Sequence, residues 1–158
     1  MRGDAALPSE PPAGANAGQT RCIIPGTAEA VRELLQSLVS GPLGRALSPE
    51  QVSNLEIVLA EVLNNVVEHA YAAFPGRVCV TLRREGADLR CEVCDQGAAM
   101  PGLDLPAGRQ ADLAEIADLP EGGFGWFLIR SLTQDLSYRR DNGVNHLSFL
   151  LPARQLPH

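Results

Sequence analysis

Three groups of residues have the types and spacing to act on a ligand. The first is the run Glu61-x-x-x-Asn65-x-x-Glu68-His69. At about 100° per residue of α-helix, these four side chains fall within roughly 100° of arc. A carboxylate and an amide one turn apart on a rigid helix can address a single point. The amide oxygen is a hard ligand suited to Mg²⁺, and the carboxylate can accept a proton or orient a hydroxyl. The second group is Asp95-Gln96-Gly97. Its acceptor-only carboxylate could take a hydrogen bond from an exocyclic amine such as N6 of adenine, with the glycine allowing close backbone approach. The third is Gly122-Gly123-Phe124-Gly125. Here exposed N–H groups at a helix N-terminus could hold phosphate without a lysine. Taken singly, each group has a plainer explanation: a solvated helix face, an Asx-turn and a glycine hinge.

The elements that must carry these residues can be read from periodicity and punctuation. Residues 1 to 20 are mostly Ala, Gly and Pro with Leu7 as the only large aliphatic, so a disordered tail is expected. The folded unit is expected over 21–152, with 153–158 a C-terminal tail. Arg21 to Pro25 reads as an edge strand. Thr27 can cap a helix reaching about Val39, with Val31, Leu34, Leu35 and Leu38 in one stripe. Gly41-Pro42 and Gly44 interrupt it. Ser48, Pro49 and Gln51 then form a capping box opening a long helix to about Tyr71 or Ala73, which carries the first group. Arg77–Arg84 and Asp88–Asp95 alternate as a strand hairpin, with Val78, Val80, Leu82, Leu89, Cys91 and Val93 inward and Asp95 at its end. Residues 96–123 read as a long loop with a short helix near Gln110 to Ala117. A helix over Gly125–Gln134 and a hairpin of Leu136–Arg140 with Val144–Leu151 around an Asp141-Asn142-Gly143 turn follow. Strands and helices are segregated along the chain, giving an α+β fold with an antiparallel or mixed sheet and helices on one face.

Composition removes several chemistries. All 13 basic residues counted as Lys+Arg are arginine, since the chain has no lysine. Walker A loops, eukaryotic-type protein kinases and Schiff-base chemistry all require one. A net charge of −6 argues against nucleic acid and anionic membrane as partners. No stretch is apolar enough to span a bilayer and no apolar region follows Arg2, so a cytoplasmic protein is expected. Cys91 and Cys94 form a C-x-x-C within a strand, where they point to opposite faces. Free thiols are expected, and neither zinc nor redox pairing of those two.

The order and spacing of the three groups resemble the GHKL, or Bergerat-type, ATP-binding fold. The texts VLAEVLNNVVEHAY and GGFGWFLIRSL resemble those of bacterial anti-sigma-factor serine kinases of the RsbW/SpoIIAB type. The resemblance implies a two-layer α/β sandwich with a mixed, mostly antiparallel sheet, binding ATP or ADP with Mg²⁺. It implies that Glu61 is the catalytic base and that Asn65 coordinates Mg²⁺. Asp95 would read adenine, Gly97 would admit the nucleotide, Gly123 and Gly125 would cradle phosphates, and 100–121 would be a lid with Arg109 as its cation. It implies a homodimer that sequesters a sigma factor and phosphorylates a serine on a STAS-domain anti-anti-sigma factor. Two departures stand out. Ala99 replaces a second glycine, predicting a different loop path and weaker nucleotide affinity. Asp112, Glu115, Asp118 and Glu121 make the lid acidic. These departures keep open a second function: a GHKL-like interaction module that sequesters a partner, with nucleotide only as modulator.

Overall fold

The computed structural model describes Leu7 and residues 18–106 and 124–154. Five strands form one antiparallel sheet: β1 (Gln19–Pro25), β2 (Arg77–Glu85), β3 (Asp88–Asp95), β4 (Gln134–Asp141) and β5 (Val144–Leu151). Their spatial order is β1-β2-β3-β5-β4, so β5 lies between β3 and the edge strand β4. Both hairpin turns follow from sequence. Asn142 and Gly143 each have positive φ, the requirement of a type I′ turn, and Gly86 has φ +63°.

Helices α1 (Ala28–Ser40), α3 (Pro49–Asn65) and α4 (Phe124–Leu132) contribute to the core on one face of the sheet. The Thr27 hydroxyl accepts from Ala30 N at 3.2 Å. At α3 both halves of the capping box form, with Ser48 accepting from Gln51 N and Gln51 Oε1 accepting from Ser48 N. Leu55, Val58, Leu59, Val62 and Leu63 are 1% exposed or less, so α3 is the central rib of the core. Each such side chain contributes about 1.5–3 kcal/mol by leaving water. The sheet answers with Val78, Val80, Leu82, Leu89, Cys91, Val93, Leu147, Phe149 and Leu151, the inward alternation expected of β2 and β3.

Four local features depart from the sequence expectation. The interruption after α1 holds a short helix, α2 (Pro42–Ala46), started by proline at its first position. Gly44 is required there because a Cβ would overlap the Val39 carbonyl. The long helix does not stay α-helical: Val66–Ala70 is a π-helical turn, a form often associated with functional sites. Strand β1 begins at Gln19, inside the expected tail, and Leu7 packs against a small cluster of Cys79, Cys94 and Val144 on the other sheet face. Strand β4 begins at Gln134, two residues early, with an irregularity between Gln134 and Ser137 where Asp135 has φ +50°. The expected short helix near Gln110 to Ala117 lies outside the described residues.

The thiol reading holds: all four cysteines are free, Cys91 lies in the main core, and Cys94 faces the opposite side. No helix among the described residues is long and apolar enough to cross a membrane.

Candidate functional site

A cavity of about 560 Å³ opens between the end of α3 with its π-helical turn, the end of β3 with its following loop, and the start of α4. Asn65, Glu68 and His69 line it from the helix, Asp95 from β3, Ala98 to Pro101 from the loop, Trp126 from α4, and Tyr138, Asn145 and Leu147 from β4 and β5. Its size suits a ligand of several hundred daltons, and the walls are mostly apolar with a few convergent polar groups.

Asp95 is the best-defined of these groups. It is 4% exposed, and its Oδ1 accepts from Gly97 N at 2.9 Å and from Asn145 Nδ2 at 2.8 Å. The Asx-turn anticipated at Asp95 is therefore real, and it orients the carboxylate. Burial raises the Asp95 pKa above the ordinary carboxylate value, opposed by the hydrogen bonds from Asn145 and Gly97 and the charge of Arg140. Asn65 stands across the cavity with its Nδ2 buried and without a hydrogen-bond partner. Buried amides are rarely left so, and an unpartnered amide lining a cavity is one available to a ligand.

Glu61 does not line the cavity. Its carboxylate stands against Gly125, where an added Cβ would strike it. The base candidate thus sits at the N-terminal turn of α4, one turn of α3 from Asn65. Gly97 also stays out of the cavity wall. A Cβ there would overlap the Ala70 carbonyl, and the neighbouring Ala98 N donates to Ala70 O at 2.8 Å. Its missing side chain lets the loop pack on the π-helical turn. Gly97→Ala is therefore expected to lower stability by about 1–3 kcal/mol, read as a shifted urea midpoint. Unchanged stability would mean that this packing is dispensable. Ala99 lines the cavity without a positive φ; left-handed backbone occurs instead at Gly102 and Leu103. Gly123 and Arg109 lie outside the described residues.

A family model, described as the histidine kinase-like ATPase domain, matches residues 24–151. The chain belongs to this family. It is 35% identical over 98 residues to the serine/threonine-protein kinase BtrW of Bordetella bronchiseptica, covering 60% of this chain and 66% of BtrW. It is 27% identical over 128 residues to the serine-protein kinase RsbW of Bacillus thuringiensis, covering 78% and 79%. The chain thus spans just under two thirds of BtrW and a larger share of RsbW. A crystal structure of RsbU and RsbW domains from Mycobacterium tuberculosis shares the fold, with a TM-score of 0.55 at 16% identity over 86% of this chain and 32% of that one.

This histidine kinase-like ATPase domain also contains residues that shape the cavity and that the sequence pattern did not mark. Asn145 donates to Asp95 Oδ1 and to Ala98 O at 2.9 Å, while its own Oδ1 accepts from Tyr138 OH at 2.6 Å and from Arg140 at 2.7 Å. Arg140 also donates to Gly97 O, and Met100 N donates to Tyr138 OH. Tyr71 OH accepts from Gln96 N at 2.9 Å and donates to Arg77 O at 2.6 Å. Asn145 is thus the hub that holds Asp95 and the cavity loop in one arrangement. The signal for it was a polar residue at an inward position of a strand otherwise carrying Leu147, Phe149 and Leu151 on that face.

Proposed function

We propose that this chain is an ATP-dependent serine-protein kinase of a partner-switching system, acting as an anti-sigma factor and phosphorylating a serine of a STAS-domain anti-anti-sigma factor. The observation that carries this reading is the cavity, which an oriented Asp95 and an Asn65 with an unpartnered Nδ2 line from distant parts of the chain. The serine-kinase names of the relatives support the reaction class. A cytoplasmic homodimer is part of the same proposal.

The described geometry supports roles for Asp95, Asn65 and Glu61, and those of Gly123 and Arg109 rest on the family resemblance. With Oδ1 held by Gly97 and Asn145, Asp95 Oδ2 is left to accept from the adenine amine. Asn65 would hold Mg²⁺ through its amide oxygen, while its buried Nδ2, a donor without a protein partner, would be available to an acceptor on the ligand. Bound Mg²⁺ would supply neutralisation of phosphate charge. Glu61, at the first turn of α4, is placed to accept the proton of the incoming serine hydroxyl next to where Gly123 and Gly125 would hold phosphate. Arg109 would reach the terminal phosphate from the lid. Phosphoryl transfer needs positioning and charge stabilisation more than covalent participation by the protein, and this set supplies both.

Asp95→Asn tests the nucleotide part. The amide oxygen can keep both hydrogen bonds now made to Oδ1, which turns the NH₂ toward adenine in place of an acceptor. ATP affinity is expected to fall about 10- to 100-fold by calorimetry. The fold should survive. A carboxyl whose pKa is raised on folding loses stability as pH rises through that pKa, so removing the charge does not weaken the protein at neutral pH. Undiminished affinity would move adenine recognition elsewhere.

The second reading, an interaction module, is favoured by Ala99 in the loop and by the acidic residues 112, 115, 118 and 121. Phosphate incorporation into the purified STAS partner with MgATP separates the two. Absence of transfer with partner binding intact selects the module.

A further inference from the structure

The sheet face away from the ATP cavity carries a second cluster with its own chemistry. Glu92 and Cys94 stand two apart on β3 and so share a face, and His146 on β5 is the direct register partner of Cys94. Cys94 Sγ lies 3.2 Å from His146 Nδ1 and 3.3 Å from Glu92 Oε1, and His146 Nδ1 lies 3.3 Å from the same Glu92 oxygen. A thiol, an imidazole nitrogen and a carboxylate oxygen thus converge on one point from two strands.

We propose that Glu92, Cys94 and His146 form a binding site for a zinc-like divalent transition metal, with a fourth position open to water. The donor set is right for that class of ion: sulfur and imidazole select against Mg²⁺ and Ca²⁺ and suit Zn²⁺. The spacing is right too. Zinc bonds of about 2.0–2.3 Å at tetrahedral angles place ligand atoms roughly 3.3–3.6 Å apart, so the three atoms need to spread by only a few tenths of an ångström. Access is asymmetric in a useful way. Cys94 is 3% exposed and shielded by Cys79, Val144 and Leu7, whereas the side chains of His146 and Glu92 are 17% and 44% exposed. A cation can enter from the Glu92 side and finish against a dry sulfur. Arg139, the register partner of His146 on β4, is turned to Asp141 at 3.8 Å. The C-x-x-C of the sequence takes no part as a pair, because Cys91 lies in the core on the other side.

Burial and the Glu92 carboxylate push the Cys94 thiol well above its ordinary range, so without a cation it is a hydrogen-bond donor, and metal entry releases its proton. The site would cross-link β3 to β5 directly behind Asp95 and Asn145, the sequence neighbours of Cys94 and His146. A bound ion there would stiffen the strand pair that carries the Asp95–Asn145 hydrogen bond.

The test is Co²⁺ binding to the full chain after treatment with a chelator. Expected are uptake of one equivalent through gel filtration, a thiolate-to-cobalt charge-transfer band, displacement by Zn²⁺, and a raised melting temperature without nucleotide. Cys94→Ser should abolish the band. His146→Gln, at a partly exposed position, should weaken binding at least about tenfold. No uptake by the wild-type chain, or a band that persists unchanged in Cys94→Ser or His146→Gln, overturns the proposal and leaves a hydrogen-bonded triad only.

Discussion

Replacing Glu61 by glutamine is expected to cut phosphate transfer to the STAS serine by about 10²–10⁴-fold while leaving ATP binding and the fold intact. Glu61 is half-buried against Gly125 at the first turn of α4, and glutamine fills the same space against that glycine. What glutamine lacks is basicity: an amide cannot take the proton that the serine hydroxyl must lose. The carboxylate lines no part of the ATP cavity, so nucleotide affinity has no reason to change. Sigma-factor sequestration should also persist, since binding requires no proton transfer. The measurement is initial-rate phosphate incorporation at saturating MgATP, beside calorimetric ATP affinity. A variant that keeps more than a tenth of wild-type transfer would remove Glu61 from the role of general base. Loss of ATP affinity in parallel would instead make it a binding residue.

The sequence announces what local chemistry decides. The capping box at Ser48, the Thr27 cap, the Asn142-Gly143 turn and the inward alternation of β2 and β3 are each dictated by residues within a few positions of one another. They appear in the structure as read. The family resemblance was legible too, because its motifs lie on contiguous stretches. What escaped depends on which strand lies beside which. Asn145 meets Asp95 only because β5 returns to lie beside β3, placing Asp95 and Asn145 in register across 50 positions of chain. The same pairing brings His146 to Cys94 on the opposite face, and no periodicity in either strand announces it. Gly97 illustrates a different loss. A glycine beside a candidate ligand residue reads as room for the ligand, yet the room is taken by Ala70. Alpha-helical periodicity likewise carries no mark of the π-helical turn at Val66–Ala70, which shifts the register of every side chain beyond Asn65.

Asn145→Ala is expected to lower stability by about 2–4 kcal/mol and to lose ATP binding with it. Asn145 is 5% exposed and bonded on both sides of its amide. The donor side holds Asp95 Oδ1 and the Ala98 carbonyl, and the acceptor side holds Tyr138 OH and Arg140. Truncation removes one of the two hydrogen bonds on a buried carboxylate and leaves the Ala98 carbonyl and the Tyr138 hydroxyl short of a partner. Each unsatisfied group costs about 1–3 kcal/mol where water cannot replace the bond. Arg140 is exposed and can turn to solvent, so its share is small. Tyr138→Phe removes one spoke of the same hub together with the acceptor of Met100 N and should cost about 1–2 kcal/mol, with Asp95 still held and ATP affinity retained. The order Asn145→Ala well beyond Tyr138→Phe therefore separates a hub from a chain of independent contacts. Urea unfolding of both variants, with and without ATP, measures it: saturating nucleotide should raise the midpoint for wild type and Tyr138→Phe and leave Asn145→Ala unmoved. Equal, small losses in the two variants would mean that Asp95 is positioned by its own Asx-turn with Gly97 and that Asn145 merely fills space beside it.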